Sequence, residues 1–465
     1  MPSTYCGRGE RRINLTVKFR GGLQMKSSNY NCCYPFEEGK MLLYNTRTNA
    51  LAILDNSHFT SYEKFLRTGI IEDKNFEKNL EKGGYILEDN IEEIELLRNQ
   101  MLRSRYNSTS LGLTIAATAD CNFRCVYCYE KNSIKTSKMT LENQNAIIEF
   151  VKKQIKVLSH LHISWYGGEP LLAFDIIEYL SPQLIQLCKE NDVTYVASIV
   201  TNGYLLTPDK ARALKKYKVG NIQVTLDGSE EIHDRRRPLA GGQGTFKQII
   251  SNLKDCVDFF DTVNIRINTD KTNVSSISQV KEILDKNGIL KDNVGIYLGY
   301  VEDHNDAYEL EKCLHIDQFC DVNLKFVRDN HFNIMMLYPK LTSNYCCADC
   351  NNAFIIDSEG YLYKCWNDVG VKERNVGHIV EKQEDDTSDF EKANVRHYLD
   401  FMMYDPTVDS KCVDCKCLPI CMGGCPYKRV MEGDTEARCV TEKFKLEEYI
   451  KECAYELVRR RSETK

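Results

Sequence analysis

Three thiols crowd into Cys121-Asn122-Phe123-Arg124-Cys125-Val126-Tyr127-Cys128, spaced by three residues and then by two. Four cysteines complete the coordination of a four-iron cluster and leave it able only to pass electrons; three leave one iron open to a substrate or cofactor. A zinc knuckle short of one ligand, or three buried thiols, is the plainer alternative. Ten further cysteines, of 21 in the chain, lie between Cys346 and Cys439. Met1–Gln24 carries Arg8, Arg11, Arg12, Lys18 and Arg20 but no apolar stretch, so it is not a secretory signal and reads as a flexible basic extension. The protein is expected in the cytoplasm, where disulfides are disfavoured and tight cysteine groups are better explained by metal ligation. Downstream, Gly167-Gly168-Glu169-Pro170 joins two residues that let backbone approach a ligand closely to a carboxylate that can pair with an ammonium group.

The elements that must position these groups follow from periodicity. Short runs rich in β-branched residues occur at Leu113–Ala117, His162–Tyr166, Val196–Val200, Ile222–Leu226, Val263–Asn268 and Val294–Gly299. Helical patterns separate them: Thr140 caps a segment with Ile147, Ile148, Val151 and Ile155 on one face, and Thr207-Pro208 offers a cap and a first-turn proline. Strand and helix in alternation predict βα units with parallel pairing, in an open or closed barrel whose chemistry gathers at the C-terminal strand ends. Cys121, Gly167, Thr201-Asn202 and Asp227-Gly228 all fall just after a predicted strand, and Arg266 lies within one.

The two motifs together resemble the radical S-adenosylmethionine (SAM) enzymes, whose open iron is chelated by the amino and carboxylate groups of SAM. The resemblance continues through Val224–Gly228 and His233–Arg237. It implies that Gly167, Gly168 and Glu169 meet the methionine amino group, that Tyr127 lies against the adenine, and that Thr225 reaches the ribose or carboxylate. Thr225 stands where the family usually has serine, and the hydroxyl is retained. Arg237 would offer a guanidinium to the cofactor, with Thr201 and Arg266 as further cofactor contacts, although Arg235 to Arg237 also reads as a solvated charge run. Cys350-x9-Gly360-x4-Cys365, Cys412-x2-Cys415-x5-Cys421-x3-Cys425 and Cys439 are similar at every spacing to the SPASM domain, which holds two auxiliary four-iron clusters. Carried over, Cys412, Cys415, Cys421 and Cys439 would ligate the outer cluster, and Cys350, Cys365 and Cys425 the inner one, either with a fourth ligand from Cys346 or, as matched here, Cys347, or with one iron left open for a substrate thiolate. Cys417 is left as a bystander, and structural zinc in paired Cys-x2-Cys sites is the alternative.

The resemblance implies an α/β fold: a partial (β/α)6 barrel of the radical SAM type (residues 106–302), an N-terminal winged-helix-like peptide-recognition domain (25–105), a connector (303–345), a SPASM domain (346–445) and a C-terminal helix (446–465). It implies three 4Fe-4S clusters, SAM, and a reducing protein such as flavodoxin or ferredoxin. The implied activity is modification of a ribosomally made, cysteine-rich precursor peptide with a leader. A 5′-deoxyadenosyl radical would form thioether crosslinks between cysteine sulfur and carbon. Formylglycine-generating sulfatase maturation and carbon–carbon crosslinking or epimerising maturation are the other activities the motifs allow. A non-catalytic electron carrier is disfavoured, because it needs no open iron. No general base is identifiable. A net charge of −6 excludes a surface built to coat nucleic acid, and no run approaching roughly 18 apolar residues is expected to cross a membrane.

Overall fold

A computed structural model describes residues 24–304, 306–380, 389–433 and 438–463; nearly all of the expected basic extension, residues 1–23, lies outside them. The chain divides into two compact units, residues 1–93 and 94–465. The first contains β1 (Met25–Ser27), β2 (Asn31–Pro35), β3 (Lys40–Asn45), β4 (Ala50–Asp55), α1 (Asn56–Thr68), α2 (Lys74–Gly83) and β5 (Ile86–Glu88). Asp55 and Asp73 cap the two helices by accepting from backbone N–H groups of the first turn, and Gly69 and Gly84 end them at positive φ. The hairpin expected at residues 41–54 is present as β3–β4, but it belongs to a three-stranded antiparallel sheet, β2-β3-β4, while β1 pairs with β5 apart from it. Leu43, Leu54, Tyr62, Phe65, Phe76 and Leu80 form the core of this unit.

The second unit begins at residue 94, within α3 (Glu93–Arg105), a helix inside the 25–105 span expected of the N-terminal domain. It alternates β6 (Ser110–Ala116), α4 (Leu141–Gln154), β7 (His160–Tyr166), α5 (Phe174–Glu190), β8 (Thr194–Thr201), α6 (Pro208–Lys216), β9 (Val219–Thr225), α7 (Glu230–Arg236), α8 (Phe246–Cys256), β10 (Thr262–Thr269), α9 (Gln279–Lys286) and β11 (Val294–Tyr300). Thr140 and Thr207 cap α4 and α6 as expected. All six strands run parallel in the order β11-β10-β9-β8-β7-β6. Alternation puts Leu111, Leu113, Ile115, Ile163, Trp165, Ile199, Val224 and Ile265 into one continuous core.

The strand row does not stop at β6. After α10 (Ile316–Asp329) come β12 (Ala353–Ile356), β13 (Tyr361–Tyr363) and β14 (Gly377–His378). β12 adds in parallel to β6, and β13 and β14 follow antiparallel, so the cysteine-rich region extends the central sheet to nine strands. The remaining helices are α11 (Asp389–Met402), α12 (Leu418–Cys421), α13 (Pro426–Glu432) and α14 (Glu442–Glu463). One correction concerns membranes: Pro170–Glu190 is long and apolar enough to span one by length and composition. Its Ile176, Ile177, Leu180 and Leu184 are packed in the core, which accounts for that apolarity.

Candidate active site

The C-terminal ends of β6 to β10 surround a cavity of about 490 Å³. Cys121, Cys125 and Cys128 line it, together with Tyr127, Gly167, Gly168, Glu169, Thr201, Thr225, Arg237 and Arg266. The cysteine loop is pinned along its length. Arg124 N–H donates to Pro238 O (2.9 Å), Val126 N–H to Arg236 O (3.0 Å), and Ala240 N–H to Asn122 O (2.8 Å). Buried Phe123 anchors it from below, its ring edge-on to Tyr204.

Both glycines line the cavity, and each also admits a close approach of backbone within the protein. A Cβ on Gly168 would stand 2.2 Å from Asp120 O, and one on Gly167 (φ +118°) 2.5 Å from Thr118 O. The close contact is thus with the protein's own backbone, at the root of the cysteine loop. Glu169 is fully buried and accepts from Leu171 N–H (3.0 Å), Thr201 Oγ1 (2.6 Å) and Asn202 N–H (2.8 Å). Three donors leave its carboxylate about one further acceptor direction. It therefore clamps the turns after β7 and β8 together, and Thr201 acts through it.

Charge run and core change places at Arg235–Arg237. Arg235 alone is exposed; Arg236 and Arg237 are buried. Arg236 donates to Asp227 Oδ2 (3.1 Å), to both oxygens of Asp270 (2.8 and 2.7 Å) and to Asn268 O (3.0 Å). Its guanidinium also lies 4.9 Å from the Tyr127 ring centroid. The Tyr127 hydroxyl donates to Asp227 Oδ2 (2.6 Å) and receives Arg237 Nη1 (2.8 Å) and Asn268 Nδ2 (3.0 Å). Spacing alone did not show this Asp227–Arg236–Asp270 set, which holds Tyr127 and Arg237 at the cavity. Arg237 Nε is buried with no partner. His233 is a core histidine bonded to Asp227 N–H and Thr245 Oγ1, and burial pulls its pKa down to about 3.

Burial pushes the Cys121 thiol up to about 12, with Glu169 adding to the effect, and raises Cys125 and Cys128 as well. Such thiols become thiolates only against strong positive charge, which a bound metal centre supplies. Among the described residues no three His, Cys, Asp or Glu side chains gather closely enough to hold a single metal ion. Three thiols on the wall of one cavity are the donor set of a four-iron cluster with one iron left open.

The C-terminal cysteines form two groups. Cys412, Cys415, Cys421 and Cys439 line one cavity of about 380 Å³, with Lys411, Arg438 and Lys443. Lys443 Nζ is 3.4 Å from Cys439 Sγ, and Arg438 Nη2 is 3.7 Å from Cys412 Sγ. Cys417, expected to stand aside, lines the same cavity, and its bond to Cys415 is the main cause pulling that thiol down to about 6. In the other group, Cys346 lies within electrostatic reach of Cys365 and Cys425. Cys347 instead interacts with Cys346, Cys350, Lys364 and Cys365, and lines a separate cavity of about 260 Å³ against the polar face of β6 and β7. Lys364 is buried, and desolvation draws its pKa down to about 8 against the pull of the neighbouring thiols and Asp349. Trp366 and Asn367 reach from this region into the wall of the first cavity, where Trp366 packs 4.0 Å from Tyr166.

Residues 115–284 match the radical SAM superfamily. Over 340 residues the chain is 26% identical to the cysteine-type anaerobic sulfatase-maturating enzyme of Clostridium novyi (strain NT), covering 68% of this chain and 88% of that one. It is 31% identical over 269 residues to the radical SAM cyclopropyl synthase TigE of Paramaledivibacter caminithermalis, about half of each chain (51% and 53%). The solved structure of native anSMEcpe with bound AdoMet and Cp18Cys peptide superposes with a TM-score of 0.54 at 18% identity, covering 77% of this chain and 99% of that one. The chain is a radical SAM enzyme. Within that superfamily it is related to the anaerobic sulfatase-maturating enzymes, and the family implies SAM and a 4Fe-4S cluster as its cofactors.

Proposed function

We propose that this enzyme modifies a cysteine-containing precursor peptide, joining cysteine sulfur to carbon, with Cys121, Cys125 and Cys128 holding the SAM-binding cluster and the C-terminal groups holding two auxiliary clusters. The observation that carries the reading is surplus chain. The anSMEcpe structure is matched over 99% of its length while 77% of this chain is used, and this chain folds a separate unit of residues 1–93. An added unit with an exposed edge suits recognition of a leader segment. Among the described residues β4 pairs on one side only, and an extended peptide can add to such a strand through its main chain.

When bound, SAM and the reduced cluster supply a 5′-deoxyadenosyl radical able to abstract hydrogen from an unactivated carbon. The chain's own residues do the rest. Glu169 fixes the turns around the cavity, Asp227, Arg236 and Asn268 hold Tyr127 and Arg237 in place, and Tyr129, Tyr166 and Trp366 wall out water. A reducing protein such as flavodoxin or ferredoxin is the proposed electron source, in the cytoplasm. Sulfatase maturation is the second reading, favoured by the C. novyi relative, 88% of whose length is matched.

The test is the mass of a cysteine-containing precursor peptide after anaerobic incubation with enzyme, SAM and reductant. Loss of two hydrogens per bond, with thiols that no longer alkylate, supports the proposal. An aldehyde that reacts with hydrazines identifies a sulfatase-maturating enzyme instead.

A further inference from the structure

Lys364 is 1% exposed. Its ammonium group donates to Cys350 O (2.5 Å) and Ala353 O (2.7 Å) and lies over the rings of Phe354 (4.8 Å) and Tyr398 (5.7 Å). No carboxylate among the described residues forms an ion pair with it. Buried Asp349 pairs through Oδ1 with Arg429 Nη2 (3.1 Å), and among the described residues its Oδ2 bonds neither Lys364 nor any other group. Two further cations, Arg429 and Arg105, are buried close by, and each leaves guanidinium N–H groups without partners. Burying an ammonium without opposing charge costs several kcal/mol. Two carbonyl bonds could be made by a neutral donor, so they do not explain a lysine. The negative charge within its reach, besides Asp349, is that of Cys346, Cys347 and Cys350 once these are thiolates.

We propose that Lys364 is the counter-ion of the inner auxiliary iron–sulfur centre and raises its reduction potential, making it a better electron acceptor. The inference rests on the reading that these thiols ligate a cluster. A fixed buried cation stabilises whichever oxidation state carries more negative charge, and that is the reduced one. Asp349, fully buried beside the same thiols, acts in the opposite sense.

The experiment is a potentiometric EPR titration of the reconstituted full-length enzyme and its Lys364→Met, Lys364→Arg and Asp349→Asn variants, with iron counted in each. Lys364→Met should lower one auxiliary midpoint by about tenfold in the one-electron equilibrium, about 59 mV. Asp349→Asn should raise the same midpoint, and Lys364→Arg should leave it in place. The other two clusters should not move. An unchanged midpoint in Lys364→Met at full iron content overturns the proposal, as do shifts of the same sign in the methionine and asparagine variants. If Lys364→Met loses the inner iron, the asparagine variant decides: a midpoint that fails to rise overturns the proposal. A wild-type enzyme with iron for only two clusters refutes the inner-cluster reading itself, and this inference with it.

Discussion

Replacing Arg236 by methionine leaves two carboxylates, Asp227 and Asp270, buried at 0% side-chain exposure without their shared cation. It also removes the guanidinium that lies over Tyr127. Breaking a buried pair by deleting one partner costs about 3–5 kcal/mol, because an uncompensated charge stays behind. Arg212 pairs with Asp209 on the surface, where both side chains are more than half exposed, so Arg212→Met should cost at most about 1 kcal/mol. Hydrogen exchange at the amides of β9 and β10 reads the difference directly. Protection should fall by roughly two to three and a half orders of magnitude in Arg236→Met, and by less than about one order in Arg212→Met. Neutralising a stranded carboxylate in the double variant Arg236→Met, Asp270→Asn should restore at least about tenfold protection. The effect has a pH signature. Burial raises the Asp270 pKa, but Arg236 and the Thr272 bonds outweigh it and hold the group below its ordinary value. A lowered folded pKa gives stability that is present above the unfolded pKa of about 3.9 and lost as pH falls through the folded value. Arg236→Met should lose that acid-labile increment. Equal protection in Arg236→Met and Arg212→Met, or a double variant no better than the single, would refute the reasoning.

Gly168→Ala forces a methyl group to within 2.2 Å of Asp120 O at the root of the cysteine loop, and overpacking of that kind costs about 1–3 kcal/mol. SAM affinity by calorimetry should drop at least about tenfold, the 1.4 kcal/mol step. Gly424→Ala places its methyl 1.9 Å from Arg438 O at a φ of +74°, so iron analysis should show the outer cluster missing while the SAM-binding cluster remains. Cys346→Ala should remove inner-cluster iron and Cys347→Ala should be milder, since Cys346 interacts with Cys365 and Cys425 whereas Cys347 lines a separate cavity; the reverse order would show that Cys347 is the ligand. Deleting residues 1–93 should spare iron content and uncoupled SAM cleavage but weaken peptide binding by about a hundredfold, about 2.7 kcal/mol, and unchanged affinity would end the leader-binding proposal.

What the sequence made legible was local. The six strands, the caps at Thr140 and Thr207, and the turns bearing Cys121, Gly167, Asn202 and Asp227 all follow from periodicity and propensity. The eight expected cofactor contacts meet in one cavity because strand ends converge wherever parallel βα units repeat. Features that depend on distant partners were not legible. Arg236 and Arg237 look like neighbours of exposed Arg235 until Asp227, Asp270 and Tyr127, up to about 110 residues away, are brought against them. Glu169 has the chemistry to meet a ligand, and only folding shows that Thr201 and Asn202 claim its oxygens. Cys346 and Cys347 are adjacent, so no spacing rule chooses between them. β12 to β14 are short strands whose partners are set by tertiary register, which a window of neighbouring residues does not contain.

The junction of β12 with β6 also dictates an order of events at the ribosome. β6 lies between β7 and β12, matched from Ala353 opposite Gly112 to Ile356 opposite Ile115. Its second neighbour is therefore made roughly 240 residues after it, which at about 5–20 residues per second is on the order of 10–50 s. Throughout that interval the nascent chain can fold its βα units and still present a bare row of amide and carbonyl groups along Leu111–Ile115. Expression of the first 300 residues alone would make that interval permanent. Poor yield of such a fragment would reflect an unsealed sheet, and a host in which chaperones occupy the nascent chain should recover more of the full-length enzyme.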